Sequence, residues 1–419
     1  MARSSTATKP SGAEGPPVFR KRTGIQGRTG LTGWLFISPV VLILGLFLVI
    51  PVLMAAWVSM SDWTGRGSPF GGDVNFVGGE NFTSILGGEG LAARDFGTAI
   101  RNNFYYVLLV VPLQTALAMF LAVMVNKQVL KGRGLFRTAF YFPSVTSSVA
   151  ITVLWLFLFS ATGVVNKVLS FFTIDGPNWF QDPRGIFHIL LSVFGVTQAP
   201  AALQDPGFLG IPGWEWVAGP SVAMSAFVLM AIFTTSGTFM LLFIAALQNI
   251  SGEVQEAAMV DGASGWQRFW QVTLPMLRPT LFTVLTLGLI GTWQVFDQIY
   301  VGTQGGPAKT TLTPAYLSFN SAFNNQRWGE GAAIAFVLFA IIVVLTVLQR
   351  FALRERDVPK RHRMVPVGAD PKTAAAAQSA VRHADRKNGT GPDDTGPDDT
   401  GPGATKPGIK PGTNDGGRR

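Results

Sequence analysis

The sequence predicts an all-α polytopic membrane protein with six transmembrane helices and one further short helix on the cytoplasmic side. Three observations carry that prediction. Of 419 residues, 48% are hydrophobic and only 14% are charged, whereas a soluble domain carries about a quarter charged. The mean hydropathy is positive, at +0.33. The apolar residues also gather into runs of membrane-crossing length instead of recurring at the spacing of a half-buried helix or strand.

Residues 1–32 are polar, with a basic group at Arg20, Lys21, Arg22 and Arg28, and are expected to form a disordered cytoplasmic arm. The first apolar run, 34–60, is too long for the core of a signal peptide and has no convincing cleavage site, so it is a retained span. Five more spans are expected at 104–125, 139–160, 221–247, 280–300 and 332–349, which places the transmembrane domain at 33–353. The stretch 186–203 is also largely apolar, but His188, Gln198 and Pro200 interrupt it. It is expected as an interfacial or extracytoplasmic helix within the long segment 161–219. From about 357 onward Pro, Gly, Ala, Asp and Lys dominate and TGPDD occurs twice within 390–399. Such a composition buries too little apolar surface to offset its ordering entropy, so 357–419 is expected to be a disordered cytoplasmic tail.

Orientation is read from the flanks. The segment after span two carries Lys127, Lys131, Arg133 and Arg137 without an acid, and span six is followed by Arg350, Arg354, Arg356, Lys360, Arg361 and Arg363. Both belong in the cytoplasm, which puts both termini of a multi-pass plasma-membrane protein inside. The net charge of +9 therefore points to membrane flanks and not to nucleic acid.

Several chemistries are excluded or disfavoured. With no Cys, there are no disulfides, thiolate metal sites or cysteine nucleophiles. Of three His, two lie in the polar tail and His188 has no clustered second ligand, so no metal site is expected. The spans hold one ionisable side chain, Asp297, which argues against proton-coupled carriers and charge-selective pores. The segment Gly305-Gly306-Pro307-Ala308-Lys309-Thr310 does not have the spacing of a phosphate-binding loop. An energy source must then sit on another polypeptide, or transport is passive.

The positive signal is the cytoplasmic segment 251–279, SGEVQEAAMVDGASGWQRFWQVTLPMLRP, which is nearly neutral where other inner loops are basic. Glu256, Ala257 and Ala258 favour a helix, and small Ala side chains allow another backbone to approach closely. Gly262 permits a sharp turn at its end, and Pro275 limits helix continuity before span five.

Here the sequence resembles the "EAA" loop of binding-protein-dependent ATP-binding-cassette importer permeases. In that motif E-A-A is followed after three residues by G and after nine more by I-x-L-P. The chain matches it at Glu256, Ala257, Ala258, Gly262, Leu274 and Pro275, with Val272 in place of isoleucine. The run Asp261-Gly262-Ala263, the TLPMLxP of 273–279 and TWQVFDQIYVGTQGGP at 292–307 are similar to the maltose-type carbohydrate-uptake branch, most like a first permease subunit. The resemblance covers 33–353. It implies that 251–279 contains a coupling helix seated on a cytoplasmic ATPase, with Glu256, Ala257, Ala258, Asp261 and Gly262 docking and Leu274 and Pro275 shaping the exit into span five. It implies as partners a second permease subunit, two ATPase subunits that bind the ATP, and an extracytoplasmic solute-binding protein. The chain itself would be no enzyme, with no cofactor and no catalytic residue, and its cargo a sugar or oligosaccharide.

For the solute path the candidates are Gln294, Asp297 and Gln298 on span five, with Trp293 as a face on which a sugar ring stacks. These residues read equally as interface anchors and helix-packing groups. The hydroxyl-rich stretches 144–148 and 234–238 are expected as interhelical contacts. Another polar solute, such as glycerol phosphate or a polyamine, and a non-transporting scaffold remain as alternatives.

Overall fold

The structure, a computed structural model, describes residues 29–87, 90–126, 132–196, 198–205 and 207–352. The two arms expected to be disordered lie outside these residues, apart from 29–32, which belong instead to the first helix, Thr29–Leu44. Among the described residues every regular element is helical, and the strand-like pairing is limited to two isolated β-bridges, Ser61 to Phe76 and Gly185 to Ser221.

Five helices are long and apolar enough to cross a bilayer: Gly33–Ser59, Gly90–Asn126, Val222–Gln248, Arg278–Gly302 and Trp328–Ala352. These are spans one, two, four, five and six. Span three differs from the single straight helix expected at 139–160. It is a bent pair, Arg133–Val145 and Ser148–Leu158, whose axes meet at 98°. The cause is local: Pro143 cannot donate a ladder hydrogen bond, and Thr146 and Ser147 then take extended backbone angles (ψ 148° and 131°) before the helix restarts.

Span two also runs further than its apolar stretch. It starts at Gly90 because the polar-looking residues 90–103 are amphipathic and bury Phe96, Ala99 and Ile100. It is the central rod, packing against spans four and five and the short helix Pro314–Phe319. Span six packs on span five and on the second half of span one, Ile50–Ser59. Spans three and four meet closely at Gly237, where an added Cβ would lie 2.2 Å from the Phe140 carbonyl oxygen.

The segments after spans one, three and five gather at one end of the bundle. Arg66 donates to Gln326 Oε1 at 3.1 Å, Lys309 pairs with Asp95 at 2.6 Å, and Arg101 pairs with Glu215 at 2.8 Å. Counting the bent pair as one of six crossings puts these three segments on one side, in agreement with these contacts. The stretch 186–203 supplies no further span: its helix, Ile186–Val193, has eight residues, about 12 Å at 1.5 Å per residue, against roughly 30 Å of hydrocarbon. Its His188 stacks on Trp214 with centroids 4.3 Å apart and lies 3.1 Å from the Trp214 carbonyl, a packing role.

The buried apolar side chains form two clusters stacked along the bundle. One, at the end with the long segments, includes Phe96, Tyr106, Val110, Phe227, Ala231, Trp293 and Ile334. The other, toward 251–279, includes Ala118, Leu121, Phe239, Met240, Phe243, Leu277 and Val284. Between them every central span carries polar or side-chain-free residues: Gln114 and Thr115 on span two, Thr235 and Ser236 on span four, Gly288 on span five.

Candidate functional site

Span five is not one continuous helix. It runs as Arg278–Trp293, breaks at Gln294, Val295 and Phe296, and resumes as Asp297–Gly302. In hydrocarbon a break strands backbone carbonyls unless other groups pair with them. Here Asn103 Nδ2 donates to the Trp293 carbonyl at 3.4 Å and Thr313 Oγ1 donates to the Val295 carbonyl at 3.1 Å. The irregular backbone is therefore held by span two and by the residue that precedes the helix Pro314–Phe319, and it borders open space.

That space is a cavity of about 250 Å³ lined by Gln294, Phe296, Asp297 and Gln298 at the break, Gly288 on the helix before it, Gln114 and Tyr106 from span two, and Thr235 from span four. A second cavity of about 280 Å³ lies at the bend of span three, lined by Pro143, Ser144, Thr146 and Ser148 and by Thr234, Thr235 and Thr238. Thr235, Phe239 and Gln298 line both, so the two adjoin. The walls carry hydroxyls, amides and aromatic rings, one carboxylate and no cationic side chain. Concave sites with a few placed polar groups among apolar walls are the usual form of small-molecule sites, and discontinuous helices border them in transporters.

Three of the four candidate path residues, Gln294, Asp297 and Gln298, thus meet at one cavity. Trp293 does not. It is 4% exposed within the apolar cluster, turned away from the space, so it offers no stacking face there. The aromatic rings at the cavity are those of Phe296, Tyr106 and Phe239. The stretches expected as interhelical contacts are so in part: Thr235 bonds Gln114 on span two and Gly237 abuts Phe140 on span three. Ser144, Thr146 and Thr234 satisfy their hydroxyls on their own helices, at Tyr141, Phe142 and Met230 carbonyls, and present that surface to the second cavity. Ser148 Oγ is buried without a partner.

At the other end, 251–279 forms a lever. Gly252–Val260 is a helix with no buried residue, and Val260 is 88% exposed. Its end is a Schellman turn: Gly262 N–H donates to the Met259 carbonyl and Ala263 N–H to the Ala258 carbonyl, each at 3.0 Å. Gly262 sits at φ +78°, the left-handed region that glycine enters without penalty. A capping box comes next, in which Ser264 Oγ accepts from Gln267 N–H while Gln267 Oε1 accepts from Ser264 N–H. The chain then rises through Gly265–Arg268, a π-helical turn Phe269–Thr273 and Leu274–Met276 into span five. Glu256, Ala257 and Asp261 are exposed and Ala258 partly so, whereas Leu274 and Pro275 are half-buried at the exit.

The stretch 114–356 matches the family described as binding-protein-dependent transport system inner membrane component. The chain belongs to that family. This permease component is 34% identical over 267 residues to the lactose transport system permease protein LacF of Rhizobium radiobacter, covering 62% of this chain and 77% of that protein. It is 30% identical over 275 residues to the trehalose/maltose transport system permease protein MalF of Thermococcus litoralis, covering 65% and 78% respectively. Its fold is shared with a solved bacterial ABC transporter involved in the import of the acidic polysaccharide alginate. That match has a TM-score of 0.58 and 20% identity, and it covers 77% of this chain and 96% of that one.

Sequence reasoning missed Gln114 and the hydroxyls of 144–148 and 234–238 as cavity residues of the permease. A solute path read from the polar run Gln294, Asp297 and Gln298 at the end of span five passes over them, because a lone amide or hydroxyl on another span has no such polar neighbours in sequence. The signal available was position: Gln114 is the one amide or charged residue within 104–125.

Proposed function

We propose that this chain is one of two permease subunits in an importer for a neutral, hydroxyl-rich solute, a sugar or oligosaccharide. A solute-binding protein on the outside would deliver the cargo, and two cytoplasmic ATPase subunits would bind ATP and supply the stroke. The chain contributes no ATPase site of its own, and both termini lie in the cytoplasm with 251–279. One observation carries this reading: the exposed lever continues directly into Arg278–Trp293, the helix that ends at the break beside the cavity. Sixteen residues of helix make a rod of about 24 Å. Displacement of the lever by a partner is then carried by this rod to the break at Gln294, with Asp297 and Gln298 just beyond it.

The sugar class is supported by the walls and by the relatives. Hydroxyl and amide groups beside aromatic rings suit a saccharide, and the relatives' names are those of sugar permeases. The absence of a cationic residue from these two walls disfavours glycerol phosphate.

The test is ATP-dependent uptake of a labelled saccharide panel into proteoliposomes holding the assembled importer with its binding protein. Uptake that requires internal ATP and is abolished by Gln294→Ala together with Asp297→Ala supports the reading. Co-purification of no ATPase subunit, or uptake indifferent to ATP, refutes it.

A further inference from the structure

We propose that Gln114 on span two is a solute-contacting residue of the permease, reading one hydroxyl of the cargo. This rests on the functional reading above and adds a specificity determinant that comes from outside spans three and five.

Gln114 is 1% exposed and lies on span two between the two apolar clusters, where hydrocarbon surrounds the bundle on the outside. Its Oε1 accepts from Thr235 Oγ1 at 2.5 Å, while its Nε2 has no partner. The unpartnered nitrogen faces span five at Gly288, where an added Cβ would come within 2.5 Å of it. Gln114, Thr235 and Gly288 all line the cavity at the break of span five. The amide is thus pinned at one end and bare at the other, on the wall of the space assigned to the solute.

Either orientation of the Gln114 amide leaves one end bare. Thr235 Oγ1 also lies 2.6 Å from the Ala231 carbonyl. If the hydroxyl donates to that carbonyl, it can accept from a flipped Gln114 nitrogen, and the oxygen is then the bare end. Either way a single contact on Thr235 holds the side chain, and one polar atom is left without a protein partner. Buried polar groups are nearly always paired, and an unpaired one is costly. A sugar hydroxyl both donates and accepts, so it satisfies either orientation.

Gly288 fits the same account. Any side chain there would push against the amide, and its absence leaves the bare end room to turn toward the cavity when the rod Arg278–Trp293 shifts. A role as helix glue alone would be better served by a second protein partner for the amide.

The experiment uses the assembled importer in proteoliposomes at saturating binding protein, comparing the parent saccharide with its series of monodeoxy analogues. The wild type is expected to move one analogue about 3- to 10-fold more slowly than the parent, the loss of one hydrogen bond. In Gln114→Leu that ratio should fall to about 1 at the same position while the other analogues keep theirs. The melting temperature of Gln114→Leu should be unchanged or higher, because an unpaired buried amide is replaced by an apolar side chain of similar size. An unaltered deoxy profile in Gln114→Leu overturns the inference and leaves the function standing, since the wild type still transports. A lower melting temperature with all solutes slowed equally assigns Gln114 to packing and overturns it too. Failure of the wild type to move any saccharide removes both the inference and the reading beneath it.

Discussion

Replacing Gly262 isolates the geometry of the lever from everything around it. The residue sits at φ +78°, and an ideal Cβ built there meets nothing within 4 Å. Alanine would therefore meet no steric obstacle beyond its own backbone, and the whole penalty is the cost of holding an L-residue in the left-handed region, about 1–2 kcal/mol. An energy of that size changes a two-state ratio by roughly 5- to 30-fold. The helix Gly252–Val260 has no buried residue to resist fraying, so the loss falls on the Schellman turn and on the angle at which the lever meets a partner. Gly262→Ala should lower ATPase co-purification and ATP-dependent uptake by about that factor, and Gly262→Val by more, because β-branched residues tolerate positive φ least. Gly262→Asn should retain most of both, since asparagine enters the left-handed region at lower cost. Thermal unfolding of all three in detergent should match the wild type. Equal coupling in the Ala and Asn variants would refute the argument, because it would show that the backbone conformation at Gly262 is irrelevant to docking.

Three other outcomes are set by the packing. Gly237→Ala should destabilise the permease by about 1–3 kcal/mol or prevent its folding, because the new Cβ would press on the Phe140 carbonyl and Tyr141 Cα, at 2.2 and 3.0 Å, which are backbone and cannot swing aside; melting temperature in detergent reads this. Glu215→Gln leaves the buried Arg101 guanidinium without its counter-charge. Because Glu215 is itself 38% exposed, the expected loss is about 1–3 kcal/mol and below that of a fully buried pair, and Arg101→Met with Glu215→Leu should recover much of it. In the long segment after span three, hydrogen bonds from Arg184 hold the Asp182 carboxyl below its ordinary range. A depressed carboxyl stabilises above its unfolded pKa and loses that contribution as pH falls through the folded one. Hydrogen-exchange protection of the Val222 N–H to Arg184 carbonyl pairing should hold from about pH 7 down to the ordinary carboxylate range near about pH 4, decline only as pH falls below that range toward the depressed folded value, and be weak at every pH in Asp182→Asn.

The long apolar helices, the lever and its glycine were legible because each has a local signature: apolar length, spacing of Glu256 to Pro275, and a residue type that matches its backbone angle. The bends were not. Averaged hydropathy over 139–160 is blind to a 98° turn, because both arms of the pair are apolar, and Pro143 alone does not say how far the chain deflects. The break at Gln294 to Phe296 depends on Asn103 and Thr313, far away in sequence, to pair its carbonyls. Trp293 was misplaced for a related reason. A continuous helix drawn through 280–300 puts Trp293 on one face with Asp297, four residues on, and the break at 294–296 removes that alignment.

Arg101, Asn102 and Asn103 tie three separate elements to a single rod. Arg101 holds Glu215, Asn102 holds the Lys309 and Leu312 carbonyls, and Asn103 holds that of Trp293. Consecutive residues on a helix point about 100° apart, so three neighbours can reach in three directions at once. Inserting or deleting a single residue just before Val110 would swing all three away from their targets together, while leaving the hydrophobic profile of the chain untouched. This stretch should therefore reject indels far more strictly than its ordinary composition suggests.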